Sequence, residues 1–116
     1  MKAEMKKGWV MLLEDVVYHD VKHGTIIVRA GFSSDGATIP RFAWSFVGSP
    51  LQGSNRRAGI IHDMLYRYNV LPRIECDKIF YRILRKDGKR WVTAKLMYWA
   101  VRLFSKEHYA FSESSK

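Results

Sequence analysis

From residue 54 to residue 104, apolar side chains recur at spacings of three and four, in three runs separated by short breaks. That period commits the C-terminal half of the chain to helices packed through one face. Ser54 is placed to cap the first run, which extends to about Tyr68. Ala58, Ile61, Leu65 and Tyr68 form its stripe, widened by Ile60 and Met64. Asn69-Val-Leu-Pro72 ends it, and Pro72 suits the opening of a second run carrying Asp77, Phe80, Tyr81 and Leu84. Asp87-Gly88 closes that helix. The third run covers roughly residues 90–105. Trp91, Ala94, Met97, Tyr98, Val101 and Phe104 line one side, and Leu96, Trp99, Ala100 and Leu103 make it apolar nearly all round. That pattern predicts the most buried helix of the fold.

The N-terminal part reads differently. Residues 8–19 and 25–31 are rich in β-branched and aromatic residues, and Asp20-Val-Lys-His-Gly24 between them has turn chemistry. An antiparallel hairpin or small sheet is expected, with His19 and His23 as exposed loop histidines. Residues 31–41 read as loop, and a short helix is expected over 41–47 with Thr38 as a cap. The expected fold class is therefore α+β: an N-terminal hairpin or small sheet followed by three to four helices. With 116 residues, one domain over residues 1–105 and a polar tail over 106–116 are expected. No apolar stretch reaches the length of a membrane span, and no hydrophobic core of a signal peptide follows the basic N-terminus.

The first helical run carries His62, Asp63 and Tyr66 among its apolar positions. Aspartate is a poor helix former away from the first turn, and a buried carboxylate must find a cation, donors or a metal. Asp77 follows His62 by 15 residues, and a short return between two helices brings such residues together. Three readings are open. His62 is a general base oriented by Asp77, with Asp63 holding a divalent cation. Alternatively, His62, Asp63, Asp77 and Asp35 form a metal cluster. Or these residues, with an arginine such as Arg41 or Arg67, form a satisfied polar network. The lone cysteine, Cys76, reads as a half-buried packing residue and not as a nucleophile.

Three blocks, Gly31-Phe-Ser-Ser-Asp-Gly-Ala-Thr-Ile-Pro-Arg41, Ile60-Ile-His-Asp-Met-Leu-Tyr66 and Cys76-Asp77-Lys-Ile-Phe80, occur in order. They resemble a family of small phage and prophage proteins of unknown function, over about residues 30–104. In that resemblance Asp35, Gly36 and Arg41 belong to the signature block. His62-Asp63-x-x-Tyr66 followed by Asp77 is also similar to the two-helix site of phospholipase A2, over about 25 residues. That likeness implies water activation by His62, calcium at Asp63, and Asp77 and Tyr66 orienting His62. Phe46-Val-Gly-Ser-Pro50 falls where the calcium loop would lie, without that loop's tyrosine-glycine pattern. Asp35 is expected at the His62 site as a further metal ligand or hydrogen-bond partner, with Arg41 and Gly36 in support; the alternative is a purely structural turn.

The expected function is a phage or prophage hydrolase of this type, calcium-dependent if it is an enzyme. The alternative is a non-enzymatic virion, tail or host-interaction protein whose His/Asp network is structural. The formal charge of +9 favours anionic partners. An anionic membrane surface or other phage proteins are expected, with Phe42 and Trp44 as membrane-contact candidates. Nucleic acid is not favoured, because the basic residues from Arg82 to Arg90 are spread around a helix. The host cytoplasm or the virion is the expected location.

Overall fold

The computed structural model describes residues 3–6, 9–34 and 55–104. Asp35, Gly36, Thr38, Arg41, Phe42, Trp44, the expected helix over 41–47, the 46–50 loop, Ser54 and the 106–116 tail lie outside them. The architecture is α+β. Among the described residues, strands β1 (Ala3–Lys6), β2 (Trp9–Leu12), β3 (Val16–Asp20), β4 (Gly24–Val28) and β5 (Ser33–Ser34) precede three helices. These are α1 (Arg56–Arg67), α2 (Arg73–Lys86) and α3 (Trp91–Phe104).

The strands make two antiparallel sheets, one in the order β1-β2-β5 and one formed by the β3-β4 hairpin. The expected strand over 8–19 is broken at Leu13–Asp15. There the Asp15 carboxylate accepts from the Ala30 amide at 2.8 Å and from Arg29 at 3.0 Å, which turns the chain from one sheet into the other. In β3, Val16, Tyr18 and Asp20 point inward and alternate with exposed Val17 and His19. Ile26 and Val28 of β4 face the same core, opposite Tyr18 and Val16.

Asp20 is an inward-facing carboxylate, and five donors explain how it is tolerated. Arg82 of α2 reaches it twice at 3.0 Å, Tyr18 donates at 3.0 Å, and the turn amides of Lys22 and His23 donate at 3.1 and 3.0 Å. The hairpin turn is thus folded around the group that fastens it to α2. His23 is not a free loop histidine. Its ring lies 2.9 Å from Glu75 at the start of α2, beside Lys22 at 3.0 Å from the same oxygen.

Both helix ends before α2 and α3 close in the same way. After α1, Asn69 adopts a positive φ of 55°, and the Val70 amide donates to Leu65 while Asn69 donates to Tyr66. After α2, Gly88 has φ 101°, Lys89 donates to Leu84 and Gly88 to Arg85. These are paired Schellman closures, and the left-handed residue in each is what turns the chain back. Arg57, in the first turn of α1, ties the start of that helix to the end of α2 through Asp87, at 3.1 and 2.6 Å.

The burial of the helices corrects the expectation drawn from α3. Among the described helices α1 is the most buried, with every residue from Ala58 to Tyr66 inside. It lies between β4 and α2 and is covered on several sides. Helix α3 buries only Ala94, Met97, Ala100 and Val101. Leu96, Trp99 and Leu103 are exposed, because α3 packs on α2 with one face and nothing among the described residues covers the other.

Candidate functional site

The short return between α1 and α2 brings Asp77 onto the face of α1 that carries His62 and Tyr66. His62 Nε2 lies 2.7 Å from Asp77 Oδ1, and the Tyr66 hydroxyl donates to the same oxygen at 2.5 Å. The other oxygen, Oδ2, accepts from Arg102 Nη1 of α3 at 2.8 Å. One carboxylate therefore joins all three helices. The side chains of His62 and Asp77 have no solvent exposure. Burial raises the Asp77 pKa, but the bonds from His62, Tyr66 and Arg102 outweigh it and hold the carboxyl below its usual range.

That charge state fixes the proton on the ring. An ionised carboxylate only accepts, so His62 Nε2 must be the donor. In the neutral ring Nδ1 then carries the lone pair. It is buried and has no hydrogen-bond partner among the described residues. The ring is clamped between Tyr66 and Phe80, with centroid distances of 4.2 and 4.8 Å. Aromatic packing and the Asp77 bond together set the direction in which Nδ1 points. The arrangement can hold a base in one tautomer and stabilise it once it is protonated.

Asp63, the next residue, lies about 100° round the helix from His62. Its carboxylate accepts from Arg67 one turn on, at 3.1 Å. Calcium requires six to eight oxygen ligands. Among the described residues no three His, Cys, Asp or Glu side chains converge. Asp77 is occupied by three donors, so the described residues do not by themselves form a calcium site. Asp35, Gly36 and Arg41 lie outside the described residues.

Arg102 is the site residue that sequence reasoning missed. Of the two arginines weighed for the polar network, Arg67 pairs with Asp63 and Arg41 lies outside the described residues. Arg102 is the only basic residue in the last turn of α3, which was the available signal. Arg73 Nη2 donates to the Val101 carbonyl at 3.1 Å and also to the Arg102 carbonyl, which anchors that end of the helix. Cys76 is fully buried, not half-buried, and its thiol donates to the Leu71 carbonyl at 3.4 Å. Burial, with Asp77 close by, pushes that thiol up to about 12, which removes it as a nucleophile.

A family described as protein of unknown function (DUF1353) matches residues 10–101, a span that includes His62, Tyr66, Asp77 and almost all of the described fold. The chain belongs to the DUF1353 family. Two curated relatives from Sinorhizobium fredii (strain NBRC 101917 / NGR234) are similar to this DUF1353 chain. Uncharacterized protein y4jT is 36% identical over 74 residues, which is 64% of this chain and 22% of that protein. Uncharacterized protein y4iH is 37% identical over 71 residues, which is 61% of this chain and 30% of that protein. The match thus spans less than a third of either relative. No solved structure matches the chain.

Proposed function

We propose that this DUF1353 chain is a hydrolase in which His62 activates water. The observation that carries the reading is the buried Nδ1 of His62, unpartnered among the described residues, on a ring whose Nε2 is bound to Asp77. A histidine kept only for structure has no need of an orphaned ring nitrogen, since buried polar atoms are nearly always paired. In the proposed step Nδ1 takes a proton from water as the water oxygen bonds to a carbonyl or phosphoryl centre. The ester bond then breaks, and the proton passes to the leaving oxygen. Asp77 stabilises the imidazolium formed in between. Because His62 has no exposure, water reaches Nδ1 only when the surrounding packing opens.

The likeness to the phospholipase A2 helix pair supports phospholipid esters as the first substrates to try. A panel of phospholipids and chromogenic esters, offered to the wild type and to His62→Gln, tests the reading. Turnover by the wild type and its loss in the variant support it; turnover unchanged in the variant excludes it. A calcium requirement would need Asp63 to exchange Arg67 for the ion and Asp35 to join it. Activity that survives a chelator removes that part. Assignment to phage or prophage rests on the order of the three sequence blocks.

A second reading has its own support. Asp77 is already neutralised by Arg102, and the cluster ties three helices together, as a purely structural network would. On that reading the protein is a non-enzymatic phage component, and no substrate in the panel turns over.

A further inference from the structure

We propose that the outer face of α3, with the cleft it forms against α2, docks on an anionic phospholipid surface. This proposal shares no residue with the His62 site and does not depend on it.

The first observation is an apolar stripe with nothing over it among the described residues. Val92, Leu96, Trp99 and Leu103 are 47%, 52%, 55% and 68% exposed. Their spacings of four, three and four keep them within an arc of roughly 60° on the helix. That stripe lies opposite the buried Ala94, Met97 and Val101. Exposed large apolar groups at helical spacing mark an interaction surface.

The second observation is charge. From Lys89 to Phe104 the chain carries Lys89, Arg90, Lys95 and Arg102 and no acidic residue. Arg102 is committed to Asp77, but Lys95 is exposed beside the stripe. A second copy of this face would bring the same cations together, which disfavours self-association.

The third is a cleft of about 280 Å³ lined by Lys78, Tyr81, Arg82, Lys95, Tyr98 and Trp99. The Lys95 ammonium lies 5.1 Å from the Tyr81 ring centre and 5.9 Å from that of Tyr98. Tyr98 meets Tyr81 and Trp99 edge-on, at 77° in each case. Arg82 is held by Asp20, so Lys78 and Lys95 are the cations available to a phosphate. Lys78 is only loosely tied to Glu75, at 3.9 Å. A phosphate headgroup fits between the two lysines, while Trp99 and the aliphatic stripe enter the lipid. At 14 residues α3 is about 21 Å long, too short to span a bilayer, and it would lie in the interfacial plane. Nucleic acid would use the lysines but would leave Val92, Leu96 and Leu103 without a partner.

The test is vesicle co-sedimentation of the full chain, with tryptophan fluorescence as a second readout. Vesicles of phosphatidylcholine alone are compared with vesicles holding about a third phosphatidylglycerol. The wild type should bind the anionic vesicles, shift its emission to the blue, and release them as salt rises. Leu96→Ser with Leu103→Ser should bind at least about tenfold more weakly, as should Lys78→Glu with Lys95→Glu. All four positions are exposed or border the cleft, and circular dichroism checks that each variant stays folded. His62→Gln should bind like the wild type, which separates docking from hydrolysis. No preference for anionic vesicles, or equal binding by the Leu96/Leu103 variant, overturns the proposal. So does a wild-type dimer that this variant dissociates. An oligonucleotide bound equally by the wild type and the Leu96/Leu103 variant, with vesicles bound by neither, assigns the cleft to nucleic acid instead.

Discussion

The Tyr66 hydroxyl lies 2.5 Å from Asp77 Oδ1, the oxygen that His62 also engages. Two residues one turn apart on α1 therefore share a single acceptor on α2, and the second carboxylate oxygen is left to Arg102.

This sharing ranks the substitutions. Tyr66→Phe removes one donor while His62 still satisfies Oδ1, so it should cost about 1 kcal/mol. Asp77→Leu leaves Arg102 and the His62 ring without their buried acceptor and should cost about 3 kcal/mol or more. Urea unfolding of the two variants checks the order. Equal costs would show that the Tyr66 bond carries nearly all of what the carboxylate contributes, and His62 and Arg102 almost none.

Asp20 sets an acid limit on stability. Burial raises its pKa, and the Arg82, His23, Tyr18 and Lys22 bonds lower it further, to about 2 from an ordinary 3.8. Because the folded value is the lower one, the stabilisation is complete above about pH 4 and is lost as pH falls toward 2. It amounts to about 2 kcal/mol. Asp20→Asn should be less stable at neutral pH and should show a flatter stability curve between pH 4 and 2. A variant with the wild-type slope in that window would contradict the assignment.

Neighbouring residues on α3 should respond oppositely. Met97 is fully buried and Leu96 is 52% exposed. Met97→Ala should cost about 2–5 kcal/mol, and Leu96→Ala less than about 0.5 kcal/mol. Thermal melts of the two alanine variants measure the difference, and a costly Leu96→Ala would mean that its face is covered.

Cys76 should be silent. With no exposure and a thiol pushed up to about 12, it should resist a thiol reagent at neutral pH and react at once in denaturant. Rapid labelling of the folded chain would show that the α1–α2 packing opens readily.

Local signals carried much of this structure. The three helical runs, the Asp20–Gly24 turn and the breaks near Asn69 and Gly88 each depend on neighbouring residues. So does the meeting of His62 with Asp77, which needs only a short return between two helices. Long-range facts were not legible. Arg102 lies 25 residues from Asp77 and Arg82 lies 62 from Asp20, and no local pattern links either pair. The reading of α3 failed for a related reason: composition showed an apolar surface all round but not which neighbours would cover it. The turn histidine His23 likewise acquires its role only from Glu75, on a helix distant in sequence.

The claim that His62 is poised as a base is tested most directly by nitrogen-15 NMR of the histidine rings at neutral pH. A proton on Nε2 and a lone pair on Nδ1 of His62 are predicted, with Nε2 switching environment in Asp77→Asn. A proton on Nδ1, with or without one on Nε2, would leave no lone pair on that nitrogen to accept a proton from water and would contradict the account.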